Sequence, residues 1–188
     1  GNGTGGNVST LTLNNATLRP GNFSAGFDNG IAGNSATQAV TLSGNSLVYN
    51  NGTFHLAESV GSYATLTLND SSVWTNRGDA NLTGNGGNRG SVVNINGNAV
   101  FGSNNRVEIG RGGSTGTVTV ANSGKLLVNA WFSVGNGNAG NGTLIAKDSA
   151  TVYCNDLNIT DTGTSIGAMT VQDNALVNSG TVFIGKAG

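Results

Sequence analysis

The sequence predicts an all-β fold in which a single chain winds into a parallel β-solenoid (β-helix). Two observations lead to this prediction: an apolar pattern that returns every 25 to 29 residues, and a composition rich in turn formers. Glycine provides 32 of the 188 residues, and only 9% are charged, against roughly 25% in an ordinary globular protein. The chain is therefore poor in the Glu, Lys and Arg that favour helices. Its net charge of −1 and its recurrent Val, Ile and Thr indicate a folded chain and not a disordered one.

The first strand of each repeat is marked by two apolar residues separated by one polar residue, as in the stretch "GTVTV" that ends at Val120. The pairs begin near residues 11, 40, 66, 93, 118, 144 and 169: Leu11/Leu13, Val40/Leu42, Leu66/Leu68, Val93/Ile95, Val118/Val120, Leu144/Ala146 and Met169/Val171. Because successive side chains of a strand point to opposite faces, both members of a pair point inward. Seven such pairs predict about seven coils.

Two further apolar tracks follow each pair and predict a second and a third short strand. The second track comes after a polar turn and contains Leu18, Leu47, Val73, Val100, Leu126, Val152 and Leu176. The third contains Ala25/Phe27, Phe54/Leu56, Ala80/Leu82, Val107/Ile109, Phe132/Val134, Leu157/Ile159 and Val182/Ile184. One repeat cannot bury its apolar face alone, whereas stacked repeats can. We therefore expect one solenoid domain over residues 1–188, right-handed as parallel crossovers are, with three strands in each coil.

The repeat also resembles a known class of sequence. The stretch "GTVTVANSGKLLVNAWFSVGNGNAGNGTLIAKDSATV" is similar to the Gly/Asn-rich solenoid repeats of bacterial autotransporter passengers and related large surface and adhesin proteins. The resemblance extends from about Val8 to Gly188. It implies an exported bacterial protein at the cell surface or in the extracellular space.

The residue after each inward position of strand two is the first candidate functional feature. It is apolar or aromatic in six coils: Val48, Trp74, Phe101, Leu127, Tyr153 and Val177. If these side chains point outward, they form an apolar ladder along the rod, and a contiguous apolar strip of this size marks an interface with another rod, a subunit or a ligand chain. Two other interpretations fit the same residues: stacking that only stabilises the sheet, and a strand phase that is shifted by one residue.

Threonine on the outward side of strand one is the alternative binding surface. It occurs at Thr12, Thr41, Thr67, Thr119 and Thr170, although Asn94 and Ile145 interrupt the column. Regular outward threonine on a flat parallel sheet is how ice-binding solenoids present a surface that matches ordered water. The outward positions of strand three are also mostly polar and include His55, Asn81, Glu108, Ser133 and Asn158, so we expect a solvated face there.

Several functions are disfavoured by what the chain lacks. It has no basic stripe for nucleic acid and no apolar run of the ~20 residues that a membrane helix needs. The acidic residues are scattered, and the recurrent corner residues Asp70, Asp148 and Asp173 indicate turn chemistry. The only histidine, His55, is far short of a metal-ligand set, and Cys154 is predicted to be a small buried hydrophobe. We therefore predict no catalytic residues, no metal and no cofactor.

These observations favour a non-enzymatic extracellular structural protein: an adhesin shaft, a surface-layer element or the subunit of a filament. The expected partners are further copies of the chain, joined end to end or laterally, and surface glycans. Ice binding or polysaccharide binding is the alternative. A carbohydrate-active enzyme is the least favoured function, since such enzymes need carboxylates clustered on one face.

Overall fold

The computed structural model describes residues 8–26, 36–58, 60–83 and 90–185, and these residues form two parallel sheets without any helix. The seven-stranded sheet contains β1 (Val8–Asn14), β4 (Thr37–Ser43), β7 (Tyr63–Leu68), β10 (Gly90–Ile95), β13 (Thr115–Val120), β15 (Asn141–Ala146) and β17 (Ile166–Val171). The eleven-stranded sheet contains β2 (Thr17–Leu18), β3 (Phe23–Ala25), β5 (Leu47–Asn50), β6 (Phe54–Leu56), β8 (Val73–Asn76), β9 (Ala80–Asn81), β11 (Val100–Ser103), β12 (Val107–Arg111), β14 (Lys125–Asn136), β16 (Thr151–Ile159) and β18 (Leu176–Ile184). In this part of the chain, no helix is long and apolar enough to cross a lipid bilayer.

Every strand pairs with its equivalent in a neighbouring coil, which confirms the predicted β-solenoid. The strands β1, β4, β7, β10, β13, β15 and β17 follow one another in that order in the first sheet, all in parallel. Six complete turns separate the first of these strands from the last. The second and third strands of each coil lie together in the other sheet.

The inward phase of strand one is as predicted. Leu68 pairs with Ile95, Ile95 with Val120, Val120 with Ala146, and Ala146 with Val171. These residues therefore form one file through the interior, and all but Val171 in the last coil are buried. Burial of such aliphatic side chains contributes about 1.5–3 kcal/mol each, which makes this file a major source of stability.

In four coils, the residue of strand two that faces the interior is not the one that the sequence predicts. The inward residues are Leu18, Val48, Trp74, Phe101, Leu126, Val152 and Val177, whereas Leu47, Val73, Val100 and Leu176 lie on the outer face. In these four coils two apolar residues are adjacent, so either one fits an inward position. Inside the solenoid Trp74 packs edge-on against Phe23 and Phe54, with both centroid distances 4.9 Å.

The predicted division into three strands holds for the first four coils only. Asn50 and Asn76 are buried between strands two and three, where their Nδ2 groups donate to backbone carbonyls of the connecting turn. At the same register position the later coils have Val128 and Cys154, whose side chains cannot donate such bonds, and strands two and three run on as the single strands β14 and β16. In coil one the inward residues of strand three are Phe23 and Ala25. Phe27, which the sequence had suggested, lies outside the described residues.

Glycine at the start of strand one permits a close approach between neighbouring strands. A side chain at Gly142 would collide with backbone atoms of Ile109 and Gly135, and one at Gly167 would collide with backbone atoms of Val134 and Thr160. The recurrent Gly-Thr dipeptide of the repeat is thus explained by packing: the glycine lets the end of strand three lie directly against strand one.

We expect Gly142→Ala to lower the free energy of unfolding by about 2 kcal/mol, because a well-packed interior accommodates an added methyl group poorly. The matched control is Gly21→Ala, since a Cβ atom at Gly21 has no neighbour within 4 Å. Urea denaturation followed by circular dichroism measures both variants. Equal midpoints for Gly142→Ala and the wild-type protein would show that the close approach of these strands is not a constraint.

Candidate functional site

The predicted apolar ladder is not an exposed surface. Val48, Trp74 and Phe101 are fully buried, and Val177 packs against the core. Only Leu127 and Tyr153 face outward, with Tyr153 39% exposed. The one-residue shift is the interpretation that the structure supports: Lys125 and Thr151, which begin strand two in their coils, pair in register with Val100 and Leu176 and so place those apolar residues on the outer side.

A different set of residues forms the outer surface of strand two, which we call the strand-two face. Leu47, Val73 and Val100 are consecutive rungs of it and are half-buried. The neighbouring column contains Tyr49, Thr75, Gly102, Leu127 and Tyr153 in register. A side chain at Gly102 would meet its nearest neighbours only at 3.8 Å and beyond, so the glycine leaves open space in the middle of this column.

The outward columns of strand one form a second surface, which we call the threonine face. The predicted residues Thr12, Thr41, Thr67, Thr119 and Thr170 lie in one register column, together with Asn94 and Ile145. The column beside it contains Thr10, Ala39, Thr65, Val92, Thr117, Thr143 and Ala168. Neither column contains a charged residue, and all of these side chains are at least partly exposed. The structure thus brings the predicted threonines together on one sheet face.

The outward residues of strand three, in contrast, are not a solvated face. Asn81, Glu108, Ser133 and Asn158 stack in register and are almost completely buried, with Glu108 only 1% exposed. We call this column the polar spine. The prediction of a solvent-exposed face was wrong for these four residues, whereas His55, one coil below Asn81, is partly exposed.

A left-handed turn after strand three brings a later residue back against Glu108 of the polar spine. Ala57, Gly110, Gly135 and Thr160 lie within one residue of the end of the strand and have positive φ angles between 54° and 78°. The turn brings back the residue that lies three positions after Glu108 and the residue that lies three positions after His55. Arg111 Nη1 consequently lies 3.2 Å from Glu108 Oε2, and Glu58 Oε1 lies 3.1 Å from His55 Nδ1. Sequence alternation alone gives no sign of this turn, although glycine at two of its positions is a partial signal.

Glu108 is the centre of a charged and polar network that links four coils. Asn136, in the coil above, donates from Nδ2 to Glu108 Oε1 and accepts from Thr162 Oγ1 at 3.1 Å. Arg106 Nη1 is 3.9 Å from the same carboxylate, and Arg106 Nε is 2.9 Å from Asp79 in the coil below. A carboxylate that is removed from water needs such partners. The network therefore holds neighbouring coils together from outside the apolar core.

The corner aspartates serve backbone geometry, as predicted. Asp70, Asp148 and Asp173 adopt positive φ angles of 58° to 61°. The Asp70 carboxylate accepts a hydrogen bond from the Gly44 amide at 2.9 Å, and the Asp148 carboxylate accepts one from the Asn122 amide at 3.0 Å. Each aspartate thus makes its own turn and connects it to the turn of the previous coil. Within residues 8–26, 36–58, 60–83 and 90–185, no three His, Cys, Asp or Glu side chains are grouped so as to hold a metal ion.

Comparison with family models, with curated proteins and with solved structures found no match for this chain. The functional argument therefore depends on the surfaces and contacts described above.

We expect Glu108→Ala to destabilise the protein by about 1–3 kcal/mol, because it leaves the buried Nδ2 group of Asn136 without its acceptor. Glu58→Ala is the control, since the Glu58 side chain is 24% exposed and its pairing with His55 contributes about 1 kcal/mol or less. The measurement is the urea midpoint of each variant. If the two substitutions lower the urea midpoint by the same amount, the network around Glu108 is not a structural link.

The buried thiol of Cys154 is expected to make the stability of the folded protein depend on pH. Burial raises the pKa of the Cys154 thiol above its ordinary value of 9.0, nearby Asp156 raises it further, and Ser179 opposes the shift. In alkaline solution the thiol ionises first in the unfolded chain, and this ionisation favours unfolding. Stability should therefore fall as the pH rises above 9.0 towards the higher pKa of the folded state.

The check compares the wild-type protein with Cys154→Ala, which lacks the titrating thiol. Between about pH 8 and about pH 10 the urea midpoint of the wild-type protein should decrease more than that of the variant. If the urea midpoints of the two proteins decrease equally with pH, the pKa of the Cys154 thiol is not raised by folding. In addition, a thiol-alkylating reagent should modify the folded protein at neutral pH far more slowly than the protein in urea.

Proposed function

We propose that this protein is a non-enzymatic structural module: a rigid shaft in an extracellular or surface-exposed bacterial protein of the adhesin type. The single observation that carries the proposal is the unbroken parallel register of the seven strands from β1 to β17, with its interior file of stacked aliphatic residues. Each coil adds one strand spacing of ~4.8 Å along the axis, so the length of the rod scales with the number of repeats.

Three kinds of contact between neighbouring coils support mechanical stiffness. Backbone hydrogen bonds run parallel to the axis in both sheets. The apolar files fill the interior, and the polar spine with its charged network connects coils on the outside. Because bending the rod would disturb all three at once, the arrangement suits a spacer that holds attached parts of a protein at a fixed distance. The extracellular location comes from the resemblance of the repeats and is part of the proposal.

Self-association is the partner interaction that we propose with this function. In the last described coil, Val182 and Ile184 are 53% and 79% exposed, although their equivalents Val107, Ile109, Phe132 and Val134 are fully buried. A further coil would cover them, whether it belongs to this chain or to a second copy. Sedimentation velocity over a range of concentrations detects association between copies, and a purely monomeric chain at all concentrations would contradict it.

The threonine face favours a second candidate function, which is binding to ordered water or to a polysaccharide. Nine of its residues are threonine: Thr10, Thr12, Thr41, Thr65, Thr67, Thr117, Thr119, Thr143 and Thr170. They present hydroxyl and methyl groups at the regular spacing of the sheet, which is ~4.8 Å between coils. Thermal hysteresis measures ice binding directly, and its absence would remove ice as the ligand.

The shaft function predicts that one added repeat lengthens the rod by one strand spacing. In a Cys154→Ala background, Thr12→Cys and Thr170→Cys carry spin labels on the outer column of the first and the last coil. The distance between these positions is expected at ~29 Å, since six strand spacings separate them. Duplication of residues 121–146 should increase the distance by ~5 Å without broadening its distribution.

The control for this measurement is an insertion of the same residues in scrambled order, which cannot continue the register of the sheets. It should broaden the distance distribution or prevent folding. If the correct duplication behaves like the scrambled insertion, or leaves the distance unchanged, the protein is not a modular rigid spacer.

A further inference from the structure

The last described coil has an exposed surface at its end of the solenoid. In the part of the chain that the structure describes, β17 pairs only with β15, and β18 pairs only with β16. Five inward side chains of these strands are apolar: Met169, Val171, Val177, Val182 and Ile184. Natural proteins protect edge strands with lysine, proline or a bulge, whereas β17 and β18 contain neither lysine nor proline and pair without a register shift. This surface is therefore suited to pairing with further strands.

The first described coil has a matching surface at the opposite end. Of the described strands, β1, β2 and β3 pair only with β4, β5 and β6 respectively. Five inward side chains of this coil are also apolar: Leu11, Leu13, Leu18, Phe23 and Ala25. In the register that continues from coil to coil, they occupy the same positions as the five inward residues of the last coil. If the first coil of one copy lies on the last coil of another, each of these interior files continues with an apolar residue.

The spacing between strands two and three is the same in these two coils. Five positions separate Leu18 from Phe23, and five separate Val177 from Val182. Six positions separate the equivalent residues of the second to fifth coils, which are Val48 and Phe54, Trp74 and Ala80, Phe101 and Val107, and Leu126 and Phe132. Where the spacing changes between β14 and β16, the register of the sheet shifts. The last coil and the first coil therefore match at this corner without such a shift.

The left-handed turns of the two coils also coincide. Asn15 and Asp173 occupy the corner after strand one with φ angles of 52° and 58°, and Gly26 and Gly185 follow strand three with φ angles of 80° and 68°. The turn between strands one and two is one residue shorter in the first coil, but β1 and β2 pair with β4 and β5 across the same difference. The backbone paths of the first and last coils are thus compatible with stacking.

Stacking would also cover two exposed apolar side chains on the outer side of strand one. Val8 is 80% exposed and Ile166 is 62% exposed. They hold the same register position in the first and the last coil. On stacked coils they would be neighbours on adjacent strands, and this contact would remove apolar surface from water.

From these observations we infer that copies of this chain stack head to tail, so that β17 and β18 of one copy pair in parallel with β1, β2 and β3 of the next. The inference rests on the self-association proposed above, to which it adds the polarity and the register of the contact. Because the two surfaces differ, each added copy leaves another open surface, and the contact produces a filament and not a closed dimer. The joint between copies repeats the coil-to-coil contacts within each copy, so the filament continues the rod.

Disulfide cross-linking of the full chain tests the register of the contact. In a Cys154→Ala background, Thr12→Cys and Thr170→Cys place thiols on the outward column of strand one in the first and the last coil. Head-to-tail stacking brings position 170 of one copy beside position 12 of the next, at the ~4.8 Å strand spacing that permits a disulfide. Mild oxidation at a concentration that gives association should produce a ladder of covalent oligomers on denaturing gels. A double variant that associates but forms no oligomer larger than a dimer would overturn the inference.

Two control variants in the same background check that the ladder reports head-to-tail stacking. Thr12→Cys with Thr119→Cys keeps two thiols, but position 119 is three strand spacings, or ~14 Å, from position 12 of the next copy, which is beyond the reach of a disulfide. A ladder from this variant as strong as that of the first pair would contradict the register. Thr170→Cys alone should form no dimer, because the last coils do not meet each other. If it forms disulfide dimers readily, the last coils pair with each other and the inference is wrong.

A substitution in the last coil tests the contact without added thiols. Ile184→Lys places a charge in the contact and should weaken the association measured by sedimentation velocity about tenfold or more. The circular dichroism of the single copy should stay unchanged, because Ile184 is 79% exposed there. Val60→Lys is the matched control, since Val60 is 59% exposed and lies outside the first and last coils, so this variant should associate like the wild-type protein.

The outcomes separate this inference from the proposals on which it rests. Association that survives Ile184→Lys unchanged, or that gives no covalent ladder, contradicts the inference and leaves self-association in place. A chain that is monomeric at all concentrations contradicts both the inference and self-association. The spin-label distance on the duplicated repeat tests the shaft function in either case.

Discussion

The parallel register between coils is the constraint on which the rest of this structure depends. Each residue lies above its equivalent about 26 positions earlier, so every side chain is stacked on its own counterpart at a spacing of ~4.8 Å. A side chain that fits at one level must therefore fit against similar neighbours above and below. This is why the interior is filled by files of one type, as with Leu68, Ile95 and Val120, and why the corners repeat the left-handed conformation at Asp70, Asp148 and Asp173.

The interior apolar file and the polar spine both hold neighbouring coils together, and they differ in the substitutions that they tolerate. The apolar file is non-directional, so aliphatic residues of different shape replace one another along it. The polar spine is directional: Glu108 is buried, and its carboxylate lies beside Arg106 and Arg111 of its own coil and accepts a hydrogen bond from Asn136 of the next coil. An error in stacking would break the contacts that cross between coils, which are the hydrogen bond from Asn136 to Glu108 and the ion pair between Arg106 and Asp79. The polar spine thus specifies register, whereas the apolar core supplies most of the stability.

The outward side chains of the solenoid are not constrained by packing in the core, and the two sheets carry different residue types on their outer faces. The seven-stranded sheet presents an uncharged surface of threonine and small apolar residues. The eleven-stranded sheet presents Tyr49 and Tyr153 in one column, and Arg19 lies over the Tyr49 ring. The two sheets therefore present chemically distinct outer surfaces along the described coils. Because the outward side chains of these surfaces lie outside the apolar core, substitutions among them disturb the solenoid less than substitutions in the core.

The sequence by itself determined the period, the stacking of the coils and the inward phase of strand one, because Thr or another non-core residue separates the apolar residues in pairs such as Leu66/Leu68 and Val118/Val120. It left the phase of strand two undecided, since in pairs such as Val73–Trp74 both residues are apolar and only the register with Lys125 and Thr151 shows which one is buried. The sequence also did not predict that the polar spine is buried. Glu108 and Ser133 have the polarity of exposed residues, yet both are buried, and the left-handed turn at Gly110 brings Arg111 back against Glu108. Alternation reports which face of a strand a residue occupies, whereas only the tertiary structure decides what covers that face.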